Sequence, residues 1–332
     1  MFGSVLRAYR RSGADLPFGD PARAHGSALE GYYWRIVDPS AGSVIVLLCG
    51  VCQGPEGPWA TVALAAHPGG FVRHTVIAPA TGHRDCFGVR AAETLHGSAE
   101  GLRARLGDDT WIELGTRSPF LWPRPVFGAL GPAQSVPGLG QYWHPVVLAA
   151  RAEGQACIDG LPVRLDGATV YAEKNWGPRF AGHWWWGHAD AFPRRDATVV
   201  FAGGRLAVAG RVVSPTAVVV RLGKQVLRFS PPLARVRVRA TDRTWAIRAR
   251  SPRHGVEIEG DADGVAPHVL PVPDVTSRRV DMRSRQYLAG RLRLRLTRGT
   301  QTIFEGESPL ASLERGAPAA CLSDLPRGEQ PL

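Results

Sequence analysis

From residue 198 onward the chain falls into short apolar runs at roughly ten-residue spacing, with turn residues between them. The runs are "TVVFAGG", "RLAVAGRVV", "TAVVVRLGKQVLRFS", "RVRVRATDRTWAIRAR", "HGVEIEGDADG" and "GRLRLRLTRGTQTIFEGE". Nothing of helical length separates them, which excludes βαβ units and specifies an antiparallel all-β sandwich or barrel. Gly223-Lys224 and Arg298-Gly299 read as hairpin turns. "RVRVRA" (235–240) and "RLRLRL" (291–296) alternate strictly, so arginine lies on one face of each strand and apolar side chains on the other.

The first half reads less regularly. Residues 30–38, 43–51, 59–67 and 69–79 predict strands, the last two joined by a Pro-Gly-Gly turn at 68–70. "AAETLHGSAEGLRARLG" (91–107) predicts a short helix, and "SPLASLER" (308–315) a closing helical turn. Residues 116–141 are rich in Pro and Gly and predict a long ordered loop or domain connection. "QYWHPV" (141–146) reads as a strand start entering a second domain. A length of 332 residues suits two ordinary domains. The expected division is a loose leader at 1–24, a first domain at 25–145, a second at 146–318 and a tail at 319–332.

A net charge of +11 invites a nucleic-acid partner, but no nucleic-acid motif accompanies it and the arginines sit on alternating strand faces. Such faces suit solvent, or peripheral contact with an anionic membrane. No apolar stretch is long enough for a signal peptide or a membrane span, so a cytoplasmic protein is expected. Five cysteines with one C-x-x-C, Cys49 and Cys52, suggest neither a disulfide framework nor a zinc site. There is no Walker loop, no dinucleotide fingerprint, no nucleophile elbow and no H-E-x-x-H.

The most unusual segment is "YAEKNWGPRFAGHWWWGHADAF" (171–192). Trp184, Trp185 and Trp186 stand together, Trp176 lies just before them, and Glu173, His183, His188 and Asp190 flank them. As a strand, it places Trp184, Trp186, His188 and Asp190 on one face and His183, Trp185 and Gly187 on the other. A metal site of His183, His188 and Asp190 is disfavoured because His183 points away. Glu173 and Lys174 also read as a simple ion pair, and with Asn175 as a turn; Glu30 and Arg35 read as a second pair.

This segment resembles the tocopherol cyclase family, which carries an "EKNWG" stretch, then a tryptophan-rich stretch and a phenylalanine. The matching residues are Glu173, Lys174, Asn175, Trp176, Gly177, then Trp184 to Trp186, then Phe192. A second family motif, "EGWYFR", is similar to Glu30-Gly31-Tyr32-Tyr33-Trp34-Arg35. Weaker matches lie at Tyr287 to Gly290 and at 307–314. His188 and Asp190 stand where the family usually has Gln and Asn. The resemblance implies two lipocalin-like β domains with few short helices. It implies an isomerase that cyclises a prenylated hydroquinone to a chromanol, as in vitamin E biosynthesis, with no cofactor.

That chemistry needs an acid to protonate a trisubstituted alkene, and a dry aromatic surround for the tertiary cation, since water would trap it. Ring faces contribute about 0.5–2 kcal/mol each when desolvated. A carboxylic acid in an apolar pocket keeps its proton near neutral pH. The expected acid is Asp190, with Glu173 as the other candidate and His188 as its partner. Glu30, Tyr32, Trp34, Asn175, Trp176, Trp184 and Trp186 are the expected substrate-binding residues. The rival readings are a non-catalytic carrier of an isoprenoid lipid and a hydratase of an isoprenoid alkene.

Overall fold

The computed structural model describes residues 2–123, 126–208 and 211–317; the tail expected at 319–332 lies outside them. The chain divides into two compact units. The first holds the chain up to Gly128, Ala133–Phe180 and Leu270–Asp281, and the second holds Ala129–Pro132, Ala181–Val269 and the chain from Met282.

Antiparallel β structure dominates both, as expected. The first sheet contains β1 (Leu29–Asp38), β2 (Ser43–Gly54), β3 (Gly57–His67), β4 (Phe71–Ile77), β5 (Ala80–Gly82), β6 (Gly88–Ala91), β7 (Leu95–Ser98), β8 (Gly101–Arg105), β9 (Trp111–Leu121), β10 (Tyr142–Ile158), β11 (Leu161–Arg164) and β12 (Thr169–Gly177). Its order is β4-β3-β2-β1-β12-β10-β9-β8-β7-β6-β5, with β11 beside β10, and it curls into a nearly closed barrel. Period-2 alternation sends Trp34, Leu47, Val62, Leu102, Ile112 and Val170 into one interior cluster. The strands β1 and β12 are buried on both faces.

The remaining strands are β13 (Trp184–Ala189), β14 (Ala197–Gly204), β15 (Leu206–Val208), β16 (Arg211–Val213), β17 (Thr216–Leu222), β18 (Gln225–Phe229), β19 (Arg235–Ala240), β20 (Thr244–Arg250), β21 (His254–Asp261), β22 (His268–Asp274), β23 (Arg279–Arg298) and β24 (Gln301–Gly316); most of β22 and the first residues of β23 belong to the first unit, the rest to the second. The order is β18-β17-β14-β13-β24-β23-β21-β20-β19, with β22 beside β23 and β15-β16 as a separate pair; this sheet too is nearly closed. Trp185, Phe201, Val218, Trp245, Tyr287, Leu294 and Leu313 form its interior.

Several expectations are corrected. The helix expected over 91–107 is the hairpin β7–β8: Leu95, Leu102 and Ala104 fill the barrel while His96, Arg103 and Arg105 face water. Strand pairing in a closing barrel overrides the local helix preference. The closing helical turn expected at 308–315 is part of β24. Only the first six residues of the expected 116–141 loop are strand, the end of β9, which runs to Leu121. The "loose leader" is ordered: it opens with α1 (Phe2–Arg11), and Ala14, Asp15 and Ala22 are buried. The break expected at 145/146 falls inside β10, which pairs with β12 and β9. The turn at Gly223-Lys224 is as expected, whereas the last hairpin closes one residue later, with Arg298 opposite Gln301. Cys49 and Cys52 are buried in β2; burial pushes the Cys52 thiol up to about 12, which suits inert core thiols. Among the described residues no helix is long and apolar enough to cross a membrane.

Candidate functional site

The Trp-rich strand β13 behaves as its alternation predicts. Trp185 and Ala189 lie in the second barrel's core, where Trp185 Nε1–H donates to Thr216 Oγ1 at 3.0 Å. Gly187 has no side chain because a Cβ there would come within 2.4 Å of the Phe201 ring. Trp184, Trp186 and His188 take the other face. All three are buried, and the Trp186 and His188 rings stack at 6.3 Å and 19°. Asp190 follows the strand directly and is 8% exposed.

The neighbouring strands complete this face. Glu314 on β24 stands opposite both Trp186 and, across β23, Gln286. Its Oε1 accepts from Trp184 Nε1–H at 2.6 Å and from the Ser284 hydroxyl at 2.9 Å, and its Oε2 from Gln286 Nε2 at 3.0 Å. Burial raises the Glu314 carboxyl above the ordinary carboxylate range, against the pull of those three donors. The Trp184 ring is held at its edge by this carboxyl and over its face by the Arg283 guanidinium, 5.1 Å away. Gly316 lies directly opposite, and a Cβ there would meet the Trp184 ring at 2.0 Å. Sequence reasoning missed Glu314 because "SPLASLER" read as a helical turn. Had it been read as a strand, Ser312 and Glu314 would have aligned on one face, with Ala311 and Leu313 on the other.

The "EKNWG" motif on β12 splits between two faces of the first sheet. Glu173 shares its face with Tyr171, Asn175 and, on β1, Tyr33 and Arg35. Its Oε2 accepts from Trp143 Nε1–H at 2.7 Å and from the Tyr171 hydroxyl at 2.5 Å. Burial, then the nearby Glu173, holds the Tyr171 phenol well above its usual range, so it stays a donor. Asn175 lies across Gly31, where a Cβ would come within 2.7 Å of its amide; the glycine of one motif makes room for the asparagine of the other. Trp143 and Tyr171 were not among the expected site residues, although the sequence places both within four residues of a motif match or in "QYWHPV".

Lys174 and Trp176 point the opposite way, and Lys174 pairs with Glu30 on β1; strand alternation puts Glu30 and Arg35 on opposite faces. Lys174 is fully buried, and its three ammonium protons are matched by Glu30 Oε2 at 2.8 Å, the Arg23 carbonyl at 2.6 Å and His25 Nδ1 at 3.1 Å. His25 Nε2–H then meets Asp15 Oδ2 at 2.6 Å, and Asp15 pairs with Arg10 of α1 at 2.7 Å. Burial, with Lys174 and Arg10 beside it, holds the His25 imidazole neutral, well below its usual range. Burial raises Asp15 to about 6, opposed by Arg10 and Lys174. Glu30 also accepts from the His25 and Gly26 amides and from the Tyr32 hydroxyl. Trp176 stacks between His25 at 4.1 Å and Tyr142 at 5.7 Å and donates to the Gly13 carbonyl. Tyr32 and Trp34 are packed in the barrel interior with Phe87, Trp34 Nε1–H donating to the Ser98 carbonyl. These residues tie α1 and the following loop to the sheet; they occupy a face different from that of Glu173.

A long-stranded antiparallel fold with tryptophan, carboxyl and imidazole groups buried on one sheet face defines the class. The chain belongs to the tocopherol cyclase-like family, whose model matches residues 136–317, more than half its length. No curated protein matches the chain. Among solved structures it is similar to CghA with Sch210972 (TM-score 0.59, 12% identity, covering 92% of this chain and 94% of that one). It is also similar to CghA alone (0.54, 14%, 92% and 94%) and to a protein described as AttH from Nitrosomonas europaea (0.50, 14%, 92% and 97%). At these identities the likeness is one of fold.

Proposed function

We propose that this chain is an isomerase that cyclises a prenylated hydroquinone to a chromanol by acid initiation. Family membership supports the reaction class. The observation that carries the reading is the buried face of β13, where Trp184, Trp186 and His188 stand together and buried Asp190 follows.

In the proposed reaction Asp190 gives its proton to the trisubstituted alkene, leaving a tertiary carbocation. The rings of Trp184 and Trp186 stabilise that cation where water is excluded. The phenolic oxygen attacks it and closes the ring. His188 takes the phenolic proton and returns it to Asp190, so no atom is gained or lost and the catalyst is restored. Glu173 suits a positioning role better than that of the acid, since its Oε2 already accepts twice, from Trp143 and Tyr171. Trp34, Trp176, Tyr32 and Glu30 are packed and hydrogen-bonded within the first unit, so the cation-facing rings are assigned to the second unit alone.

Product analysis after incubation with a prenylated hydroquinone tests this. Chromanol is expected. A hydrated tail would identify an alkene hydratase, and unchanged quinol with saturable quenching of tryptophan fluorescence would identify a carrier; either result overturns the cyclase.

A further inference from the structure

The exposed face of the second sheet carries its arginines in two different ways. On β23, Arg291, Arg293 and Arg295 face acids: Arg291 reaches Asp261 at 3.1 Å, Arg293 reaches Glu307 at 3.7 Å and Arg295 reaches Glu305 at 3.9 Å. Glu257 and Glu259 of β21 stand opposite Arg295 and Arg293 from the other side. Here arginine and glutamate rows alternate across the sheet, and charge is balanced locally.

On β19 and β20 the balance is absent. Arg235 stands directly opposite Arg250, and Arg237 opposite Arg248. Of these, Arg248 approaches Glu257 at 3.8 Å. Arg235, Arg237, Arg239 and Arg250 are exposed and make no side-chain hydrogen bond or ion pair among the described residues. Like charges paired across strands oppose sheet formation, so nothing within the sheet favours this arrangement. The strand β19 is also the last in the order of its sheet. Two-residue steps of about 7 Å along the strand and about 5 Å across it gather these arginines into one cationic patch. At its start Leu233 is 55% exposed, an apolar side chain beside the first arginine.

We infer that the β19–β20 arginines form a docking surface for the anionic headgroups of a lipid bilayer. The inference rests on the proposed isoprenoid substrate, a molecule dissolved in membranes. An anionic headgroup layer supplies the charge that these unmatched arginines lack, and Leu233 suits the boundary between headgroups and acyl chains. A single-stranded nucleic acid would instead be expected to meet aromatic stacking residues, and the patch residues are arginines with Thr244 and Ala246 between them.

The test is flotation of the full chain with phosphatidylcholine vesicles, with and without phosphatidylglycerol. Binding is expected only with phosphatidylglycerol and should weaken steeply from low to physiological salt. Replacing Arg235, Arg237, Arg239 and Arg250 by Gln should weaken it on the order of 10²-fold, since each basic residue near an anionic surface contributes several-fold. Replacing Arg291, Arg293 and Arg295 by Gln removes nearly as much net charge and should change binding by less than ~3-fold, because those charges are already matched. Equal losses in both variants would overturn the proposal in favour of unspecific net charge. So would parent binding that ignores headgroup or salt, or binding of a duplex oligonucleotide without binding of vesicles. The four-arginine variant should melt no lower than the parent; if it does, the headgroup and salt dependence of the parent decides. Its turnover of detergent-dispersed quinol should equal the parent's, so failure of docking and failure of the cyclase reading are separate results.

Discussion

Asp190 and Glu173 carry the same functional group in different company. Asp190 follows a strand face of tryptophan and histidine in the second unit, while Glu173 holds Trp143 and Tyr171 in the first. Asp190→Asn is therefore expected to keep ligand binding and lower turnover on the order of 10²–10⁴-fold, the usual worth of a positioned acid. Glu173→Gln should cost less. Full turnover by Asp190→Asn beside an inactive Glu173→Gln would move the acid to Glu173. Asp15 makes a separate prediction about stability. Its carboxyl titrates near 6 in the fold, raised by burial, against ~3.9 unfolded. A raised pKa contributes stability that is fully present below the unfolded value and is lost as pH rises through about 6. Relative to the parent, Asp15→Asn should thus gain up to about 3 kcal/mol between acid and neutral pH. Chemical denaturation across that window checks it; a difference between variant and parent that does not change with pH would contradict it.

At the scale of elements, the strand β13 was legible because one face is apolar core and the other is not; alternation alone separated Trp185 from Trp184 and Trp186. The strand β24 was illegible for the opposite reason. A register shift between Ser308 and Ala311 carries the core face from Phe304 and Ser308 to Ala311 and Leu313, so no continuous period of two remains to distinguish strand from helix. The strand β10 read as the start of a new domain, yet it lies wholly within the first unit; its first seven residues are buried on both faces, so no alternation ties them to the strands before them. The polar network of Arg10, Asp15, His25, Lys174 and Glu30 was out of reach because its members are distant in sequence and meet only through the β1–β12 register. An element-level prediction follows from Trp184 lying across Gly316. Gly316→Ala should displace the ring from Glu314, destabilise the fold by about 1–3 kcal/mol and red-shift the tryptophan emission. Unchanged emission and stability would show that Trp184 is not fixed by this contact.

For the whole molecule, the all-β class followed from turn spacing alone, and the two-barrel form from the family resemblance. The division of labour between the units did not. The sequence places Trp34, Trp176, Trp184 and Trp186 in two related motifs, yet the fold sends the first pair into the packed interior of one unit and the second pair onto a sheet face of the other. A linear motif fixes which residues are neighbours along a strand; which face each one takes depends on partners that only the register supplies.

The central claim is that the ring closes after protonation of an alkene by a protein acid. The most direct measurement is mass spectrometry of the product formed from a prenylated hydroquinone in deuterium oxide. An acid equilibrated with solvent delivers one deuteron to carbon, so the chromanol should carry one non-exchangeable deuterium, and Asp190→Asn should slow its appearance. Chromanol formed at the parent's rate with no deuterium on carbon would contradict the account.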